Sequence, residues 1–249
     1  MKISFIIIEY DSLSDVAKCI NSIEDVSVIN DFEIIISSNS LYDQINQKII
    51  INKFKNHKVL FNDINGGFAY AMNQGLAIAS GEILVIMNSD VKVKKNIHLM
   101  ANYLLEHPKV GIIGPRIENG HYIIQDSFRH FLNPLNFITR HFMRLTNRKM
   151  RINCNSIYTV DWIIGAFMMF SRNAYETVGG LDEEYFLYCE DMDFCTRMYK
   201  EGFHVVYYPE AIVEYEGTRS ARKSLKYARI FMTSLLHYWR KFGLFVTRN

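Results

Sequence analysis

The chain has 249 residues, of which 49% are hydrophobic, and a formal net charge of +2. The length suits one α/β domain with a sizeable core, and the hydrophobic content excludes an intrinsically disordered protein. No apolar stretch approaches the roughly 20 residues that cross a bilayer as a helix, so the sequence predicts no transmembrane helix.

Cysteine usage and the first residues indicate a reducing compartment. The four cysteines show no CxxC spacing, which argues against a zinc site and against a disulfide framework. The apolar run at residues 3–8 is shorter than the core of a signal peptide and leads directly into Glu9, so we expect a core strand there. A cytoplasmic location fits both observations best.

Strands and helices are predicted to alternate in the first half of the chain. Apolar runs predict strands at residues 2–8, 32–36, 58–61, 83–87 and 110–113. Apolar residues at helical spacing predict helices at residues 13–24, 42–54, 68–79 and 94–106. This regular alternation indicates βαβ units and a mainly parallel sheet.

The second half is mixed, and no linker separates it from the first. A turn at 117–121 is predicted to join two short strands, and the apolar segment 162–170 is predicted to cross the sheet. Further strands are predicted at 203–208 and 211–215, and helices at 173–178 and 190–201. We therefore expect one domain over residues 1–220, made of the halves 1–115 and 116–220, followed by a basic amphipathic helix within 221–249.

The segment from residue 65 to residue 90 is the most informative part of the chain. It predicts a turn at Asn65-Gly66-Gly67, a helix, a second glycine turn and a buried strand that ends at Asn88-Ser89-Asp90. Open α/β sheets place ligands at the carboxyl ends of strands, where a carboxylate needs a polar or ionic partner such as a divalent cation. Taken alone, Asn-Ser-Asp is a weak signal that an ordinary turn explains better.

Further motifs follow in a fixed order. They are N-x-G-F-A from Asn65, A-x-G-E from Ala79, N-x-D ending at Asp90, Asp161-Trp162 with Gly165-Ala166-Phe167, Gly179-Gly180-Leu181-Asp182-Glu183, and Glu190-Asp191-Met192-Asp193. In this order, over about residues 2–220, the chain resembles family 2 glycosyltransferases of the GT-A fold, closest to the bacterial rhamnosyltransferase-like branch. The resemblance implies a single α/β domain with a mixed, mainly parallel sheet, whose first half binds the nucleotide sugar and whose second half binds the acceptor.

The resemblance also implies an activity. Such an enzyme moves one sugar, with inversion, from a nucleotide diphosphate sugar such as dTDP-rhamnose or a UDP-sugar to a growing, lipid-linked bacterial surface polysaccharide. The reaction needs a base for the acceptor hydroxyl, neutralisation of the departing diphosphate, and a nucleoside pocket.

Asp191 is implied to be the catalytic base, with Glu190 and Asp193 orienting it or the acceptor. Capping of a helix N-terminus is the alternative explanation for these three acids. Because Asp191 begins a predicted helix, we expect the free backbone amides to keep its pKa low. Asp182 is expected to be structural or to face the acceptor, and Trp162 either to wall the acceptor pocket or to lie in the core.

Donor and cation are expected at the strand ends of the first half. Asp90, assisted by Asn88, is the expected ligand of a divalent cation, Mg²⁺ or Mn²⁺, and the ring of Tyr10 is suited to stacking on a pyrimidine. The donor-binding residues implied by the resemblance are Tyr10, Ser37, Asn65, Gly67, Asn73, Asn88, Asp90 and Arg219.

Two departures from the family pattern bear on this site. Family members usually carry an Asp-Asn pair at the end of the second strand, where this chain has serines at 37 and 38. A histidine commonly follows the last strand. Here Tyr215 aligns with it best, whereas a shift of one residue would give Glu214, an oxygen ligand for the cation. Arg219, which is retained, is suited to binding the diphosphate.

Basic residues are concentrated in two segments. Residues 131–158 hold five Lys or Arg and residues 219–249 hold eight, without an acid in either, which leaves 15 basic against 26 acidic residues elsewhere. Both segments have the apolar spacing of amphipathic helices. They indicate either helices packed on the domain or docking on an anionic membrane surface at the inner face of the plasma membrane, where a polyprenyl-diphosphate-linked glycan acceptor resides. No nucleic-acid module is recognisable, and the oligomeric state is not predicted.

Two other functions compete with this interpretation. A catalytically inactive relative that acts as a membrane-associated binding module is favoured by the two departures but opposed by the retained Asp90 and Asp191. A sugar nucleotidyltransferase is disfavoured because the first turn, Glu9-Tyr10-Asp11-Ser12, lacks a glycine-rich phosphate loop.

Overall fold

A computed structural model describes residues 1–26, 31–121, 124, 127–135, 137, 155–216 and 224–248. The strands are β1 (Ile3–Glu9), β2 (Phe32–Ser38), β3 (Lys58–Phe61), β4 (Ile83–Asn88), β5 (Lys92–Lys95), β6 (Val110–Glu118), β7 (Phe128–Arg129), β8 (Tyr158–Thr159), β9 (Trp162–Ile163), β10 (Phe167–Ser171) and β11 (His204–Glu214). The helices are α1 (Leu13–Asp25), α2 (Gln44–Lys53), α3 (Gly67–Ala77), α4 (Ile97–Glu106), α5 (Arg172–Val178), α6 (Glu190–Lys200) and α7 (Leu225–Phe242).

One central sheet joins the two halves of the chain. Its strands run in the order β3-β2-β1-β4-β10-β6-β11-β5, with β8 added to β11. The four strands from β3 to β4 are mutually parallel, β10 is antiparallel to both of its neighbours, and β11 is parallel to β6. The predicted mixed, mainly parallel α/β sheet is therefore confirmed.

Helices cover both faces of the sheet, which explains why the strand sequences are apolar without interruption. Alternate residues of β1 belong to different core clusters, with Ile7 on one face and Ile6 on the other. Helices α1, α2 and α4 contribute to the first cluster, and α3, α6 and α7 contribute to the second. The parallel strands thus bring the ends of β1, β2 and β4 to one edge of the sheet, where the candidate site lies.

Several predicted boundaries need correction. Residues 94–95 belong to β5, which pairs with β11, so the helix predicted from residue 94 begins at Ile97. The segment 162–170 forms two strands, β9 and β10, with a loop between them. The two strands predicted around Pro209 are one strand, because a register shift in β11 accommodates a residue that cannot donate to the ladder.

The C-terminal helix is also present. Helix α7 buries Leu235 and Tyr238 against the domain, as expected for an amphipathic helix. Among the described residues, no helix is long and apolar enough to span a bilayer. Most of the basic helix predicted within 131–151, as well as Arg219, lies outside the described residues.

Candidate active site

The candidate base lies in the first turn of α6. Directly before the helix, Tyr188 and Cys189 both have left-handed backbone, with φ of 71° and 68°. In residues other than glycine this conformation costs of the order of 1–3 kcal/mol and is concentrated at functional sites. The two carboxylate oxygens of Asp191 accept hydrogen bonds from the backbone N–H groups of Gly165 and Met192, both at 2.8 Å. The carboxylate is therefore held in one orientation.

The environment of Asp191 raises its pKa to about 6, chiefly through burial. The hydrogen bonds from Gly165 and Met192 and the positive charge of Arg129 oppose that rise without cancelling it. The expectation of a low pKa was therefore wrong, because only 9% of the residue is exposed and desolvation outweighs the helix N-terminus. With a pKa about one unit below neutral pH, the carboxylate is still mostly ionised there, as a general base requires.

Glu190 lies in the same buried site, but the environment of its carboxyl group differs from that of Asp191. Burial, followed by the charges of Asp191 and Asp193, raises the pKa of Glu190 well above its ordinary value. Its Oε2 atom is buried without a hydrogen-bond partner in the described part of the chain. Two adjacent buried carboxyl groups do not both ionise readily. We assign the negative charge to Asp191, which has two N–H donors, and the proton to Glu190.

Asp193 and Asp182 serve to hold α7 rather than to line the site. Asp193 is fully buried, and its carboxylate pairs with Arg197 at 2.6 Å and Lys241 at 2.7 Å. Lys241, near the end of α7, also pairs with Asp182 at 2.5 Å. The contacts therefore favour a structural role for both acids, which is one of the two roles expected for Asp182 and differs from the orienting role expected for Asp193.

A short loop connects the candidate base to the end of β4. Gly165, which donates to Asp191, precedes Ala166, whose carbonyl oxygen accepts a hydrogen bond from the backbone N–H of Asn88 at 3.1 Å. The side-chain amide of Asn88 donates to the Tyr215 hydroxyl at 3.3 Å. The structure thus brings together two regions that are about 100 residues apart in sequence.

Tyr215 and Glu214 project to different sides, as consecutive residues of an extended chain do. Burial, followed by the charge of Asp90, raises the pKa of Tyr215 to about 12, so its hydroxyl is neutral and a poor cation ligand at neutral pH. The carboxylate of Glu214 pairs with Lys92 at 2.6 Å and with Lys94 at 2.8 Å. The two lysine partners therefore argue against Glu214 as a metal ligand, and Tyr215 lies beside Asn88.

Asp90 and Asn88 remain as candidate cation ligands. Asp90 follows the end of β4 and is exposed. Partial desolvation by the surrounding protein and, to a smaller extent, the charge of Asp15 raise its pKa. Within the described residues, no group of three or more His, Cys, Asp or Glu is arranged to hold a metal ion. One carboxylate and one amide oxygen suit a hard cation that completes its coordination with phosphate and water. The residues thus fit a cation that arrives with a nucleotide diphosphate.

The ends of β1 and β2 form a polar network beside an exposed aromatic ring. The buried Glu9 carboxylate accepts hydrogen bonds from the Ser12 backbone N–H at 2.8 Å and from the Ser38 hydroxyl at 2.5 Å. Tyr10 is 55% exposed, so its ring is accessible for stacking. Glu9, at the end of β1, thus places a carboxylate beside Ser38. The end of β2, to which Ser38 belongs, carries no acid itself.

The other expected donor residues mostly hold the fold together. Ser37 is buried and donates to the carbonyl of Ala71. Asn73 exchanges two hydrogen bonds with the backbone of Leu181. Gly67 has a φ of 90°, and a Cβ there would overlap the carbonyl oxygen of Phe186, so glycine is required. Asn65, which is half-buried, accepts from the Gly67 N–H at 3.2 Å and stays near the strand ends.

Trp162 lies in the core, and its ring supports a residue that the sequence did not single out. Its indole N–H donates to the carbonyl of His130 at 3.0 Å, and only 5% of the residue is exposed. The guanidinium carbon of Arg129 lies 5.5 Å from the centre of the indole ring. Arg129 belongs to the two-residue strand β7, which is too short to give a periodic pattern in sequence.

Comparison with known protein families gives two matches. Residues 4–178, more than half of the chain, match the family described as Glycosyl transferase family 2. Residues 147–221 match a second family, described as N-terminal domain of galactosyltransferase.

Individual relatives match over only part of their length. An N-acetylglucosaminyl-diphospho-decaprenol L-rhamnosyltransferase of Mycobacterium tuberculosis is 27% identical over 194 residues, which are 68% of this chain and 62% of that protein. Rhamnosyltransferase WbbL of Escherichia coli is 41% identical over 64 residues, 24% of either protein. The chain thus spans less than two thirds of the length of these relatives.

A solved structure shares the fold at low sequence identity. The mannosyltransferase PcManGT from Pyrobaculum calidifontis, in complex with GDP-Man and Mn²⁺, is 16% identical and superposes with a TM-score of 0.63, covering 96% of this chain and 64% of that one. The likeness confirms the expected GT-A architecture.

Proposed function

Because this chain belongs to glycosyl transferase family 2, we propose that it transfers one sugar, with inversion, from a nucleotide diphosphate sugar to a growing, lipid-linked bacterial surface polysaccharide. The observation that carries the proposal is the buried carboxylate of Asp191, which two backbone N–H groups hold in one orientation. Two residues of the loop between β9 and β10, Gly165 and Ala166, join it to the end of β4, where ligands of open α/β sheets bind.

Asp191 acts as the general base in this reaction. Its carboxylate accepts the proton of the acceptor hydroxyl as the oxygen attacks the anomeric carbon from the face opposite the diphosphate, which inverts the configuration. The hydrogen bonds from Gly165 and Met192 orient the carboxylate, and the neutral Glu190 adds no second charge.

The donor lies along the ends of β1 and β4. Tyr10 stacks on the nucleobase, and Asp90 with Asn88 would hold the cation that accompanies the diphosphate. Mg²⁺ or Mn²⁺ would supply charge neutralisation of the leaving diphosphate. The names of the two rhamnosyltransferase relatives support dTDP-rhamnose as the first donor to test, with UDP-sugars next.

The acceptor is a polyprenyl-diphosphate-linked glycan at a membrane surface. The name of the mycobacterial relative supports a glycan of this class. The outer face of α7 supports membrane docking, because apolar and cationic side chains alternate there. Its exposed residues include Leu225, Lys226, Arg229, Met232, Leu236 and Arg240. On this basis the protein binds peripherally to the anionic inner face of the plasma membrane.

A donor screen tests the proposed activity. Purified protein is mixed with dTDP-rhamnose, several UDP-sugars or GDP-mannose, with and without Mn²⁺, and with a short polyprenyl-diphosphate-linked GlcNAc acceptor. Release of the nucleotide diphosphate should depend on one donor and on the acceptor, and it should be lost in Asp191→Asn. Release that never exceeds that of Asp191→Asn would favour the inactive binding module.

A further inference from the structure

Arg129 is a half-buried cation whose position is fixed by its neighbours. Strand β7 pairs antiparallel with β9, and the register places Arg129 opposite Trp162. The guanidinium lies over the indole ring, which is itself anchored to the carbonyl of His130. Stacking on an aromatic face leaves the N–H groups at the guanidinium edge free to donate.

One donor of this guanidinium, its Nε–H group, is unused within the described residues. The Nε atom of Arg129 is buried and has no hydrogen-bond partner in the described part of the chain. Within the same residues, Arg129 also forms no ion pair at 4.0 Å or less. An unsatisfied buried donor costs about 1–3 kcal/mol, and an anion that accepted a hydrogen bond from it would remove that cost.

Arg129 lies near both parts of the candidate site. Its strand is joined to the loop between β9 and β10, because the Ile164 N–H donates to the Ser127 carbonyl at 3.1 Å. The next two residues of that loop contact Asp191 and Asn88. In agreement with this placement, the charge of Arg129 contributes to lowering the pKa of both Asp191 and Tyr215, against the larger effect of burial.

The other described groups of the candidate site do not supply enough positive charge to neutralise a leaving diphosphate. A leaving nucleotide diphosphate carries at least two negative charges. Of the three expected ligands of its cation, Glu214 is paired with Lys92 and Lys94, which leaves Asp90 and Asn88. A guanidinium binds phosphate oxygens through two parallel N–H donors.

We infer that Arg129 binds the diphosphate of the donor and stabilises it as the leaving group, an assignment that rests on the proposed transfer reaction. The bond between the anomeric carbon and the phosphate oxygen breaks, and its electron pair stays on that oxygen. The acceptor oxygen forms the new bond, and its proton passes to Asp191. Arg129 donates hydrogen bonds to the phosphate oxygens throughout and is not itself changed.

The test compares diphosphates with nucleosides. Calorimetry measures binding of dTDP, UDP and GDP, and of thymidine, uridine and guanosine, to the wild type, Arg129→Gln, Arg129→Lys and the control Lys109→Gln. Lys109 is exposed at the amino end of β6, on the opposite edge of the sheet, and the control removes the same charge. Thermal unfolding of each variant is recorded in parallel.

Arg129→Gln should weaken binding of the preferred diphosphate at least about tenfold, as expected for lost charge-assisted hydrogen bonds, and leave nucleoside binding unchanged. Arg129→Lys should fall between it and the wild type, and Lys109→Gln should bind like the wild type. The transfer rate of Arg129→Gln should fall about 10²-fold.

Two results would overturn the assignment. Equal losses of nucleoside and diphosphate affinity in Arg129→Gln, with a lowered Tm, would show that Arg129 only supports Trp162. Wild-type diphosphate affinity and rate in Arg129→Gln would show that the leaving group is held elsewhere, with the proposed function intact. A wild-type protein that neither binds a diphosphate nor transfers sugar would instead refute the proposed function.

Discussion

Lowering the pH from 7 to 5 should reduce the transfer rate about tenfold, because Asp191 must be ionised to accept a proton. With its pKa at about 6, roughly nine tenths of the carboxylate is ionised at pH 7 and roughly one tenth at pH 5. Burial chiefly sets this value, and the N–H donors of Gly165 and Met192 and the charge of Arg129 oppose it. The acid limb of the rate profile should therefore have its midpoint near pH 6.

Two variants separate the contributions to this profile. Asp191→Asn should lower the rate at least about 10²-fold and abolish the acid limb, because the carboxamide has no basicity. Glu190→Gln should leave the limb near pH 6 if Glu190 is protonated in the wild type. If Glu190 were ionised instead, removing its charge would move the limb to lower pH. The assay is nucleotide release under saturating donor and acceptor between pH 5 and pH 8.

The same raised pKa has a consequence for stability. The pKa of Asp191 in the folded state lies above its value in the unfolded chain, so its favourable contribution is complete below about pH 4 and is lost as the pH rises through 6. A rise of about two units in the pKa of Asp191 lowers the free energy of unfolding at pH 7 by about 3 kcal/mol. Urea unfolding should therefore show Asp191→Asn gaining about 3 kcal/mol relative to the wild type between pH 4 and pH 7. A rate without pH dependence from 5 to 7, together with a constant stability difference, would refute this reasoning.

Three further predictions concern the cation, helix α7 and the membrane. Asp90→Ala should abolish the increase in nucleotide diphosphate affinity that Mn²⁺ produces in calorimetry. The control Asp25→Ala, at the other edge of the sheet, should keep this increase. An unchanged Mn²⁺ effect in Asp90→Ala would contradict the role of Asp90. Lys241→Met should lower the free energy of unfolding by about 2 kcal/mol in urea titrations, because it removes a partner of the fully buried Asp193. The control Arg240→Met, at an exposed neighbouring position, should change this free energy little. Equal effects of the two variants would contradict the anchoring role of Lys241. Co-sedimentation with anionic vesicles should weaken with added salt and with Arg229→Glu combined with Arg240→Glu, and equal pelleting with neutral vesicles would exclude this surface as an electrostatic membrane contact.

The core of the fold could be predicted from the sequence because its strands are apolar on both faces and its helices have one apolar face. The same information was insufficient at β5 and β11. Residues 92–95 alternate lysine with a single buried valine, and Pro209 interrupts an otherwise continuous strand, so the pairing partner rather than local pattern determines both elements.

The candidate site could be predicted in part, since the motifs at Asp90 and Asp191 occur at strand and helix ends. The pKa of Asp191 could not, because it depends on burial by segments distant in sequence, and helix position alone indicated the opposite direction. The contacts of Asn73, Asp193 and Glu214 with packing partners also depend on tertiary structure. Arg129 was missed because nothing in its two-residue strand reveals that Trp162 lies opposite.

The anomeric configuration of the product tests the central claim most directly. Proton NMR of the glycan formed by the wild type with its preferred donor should show a bond inverted relative to the donor, and Asp191→Asn should yield at least about 10²-fold less of it in the same time. Retention of configuration, or an equal yield from Asp191→Asn, would contradict a single displacement that depends on Asp191.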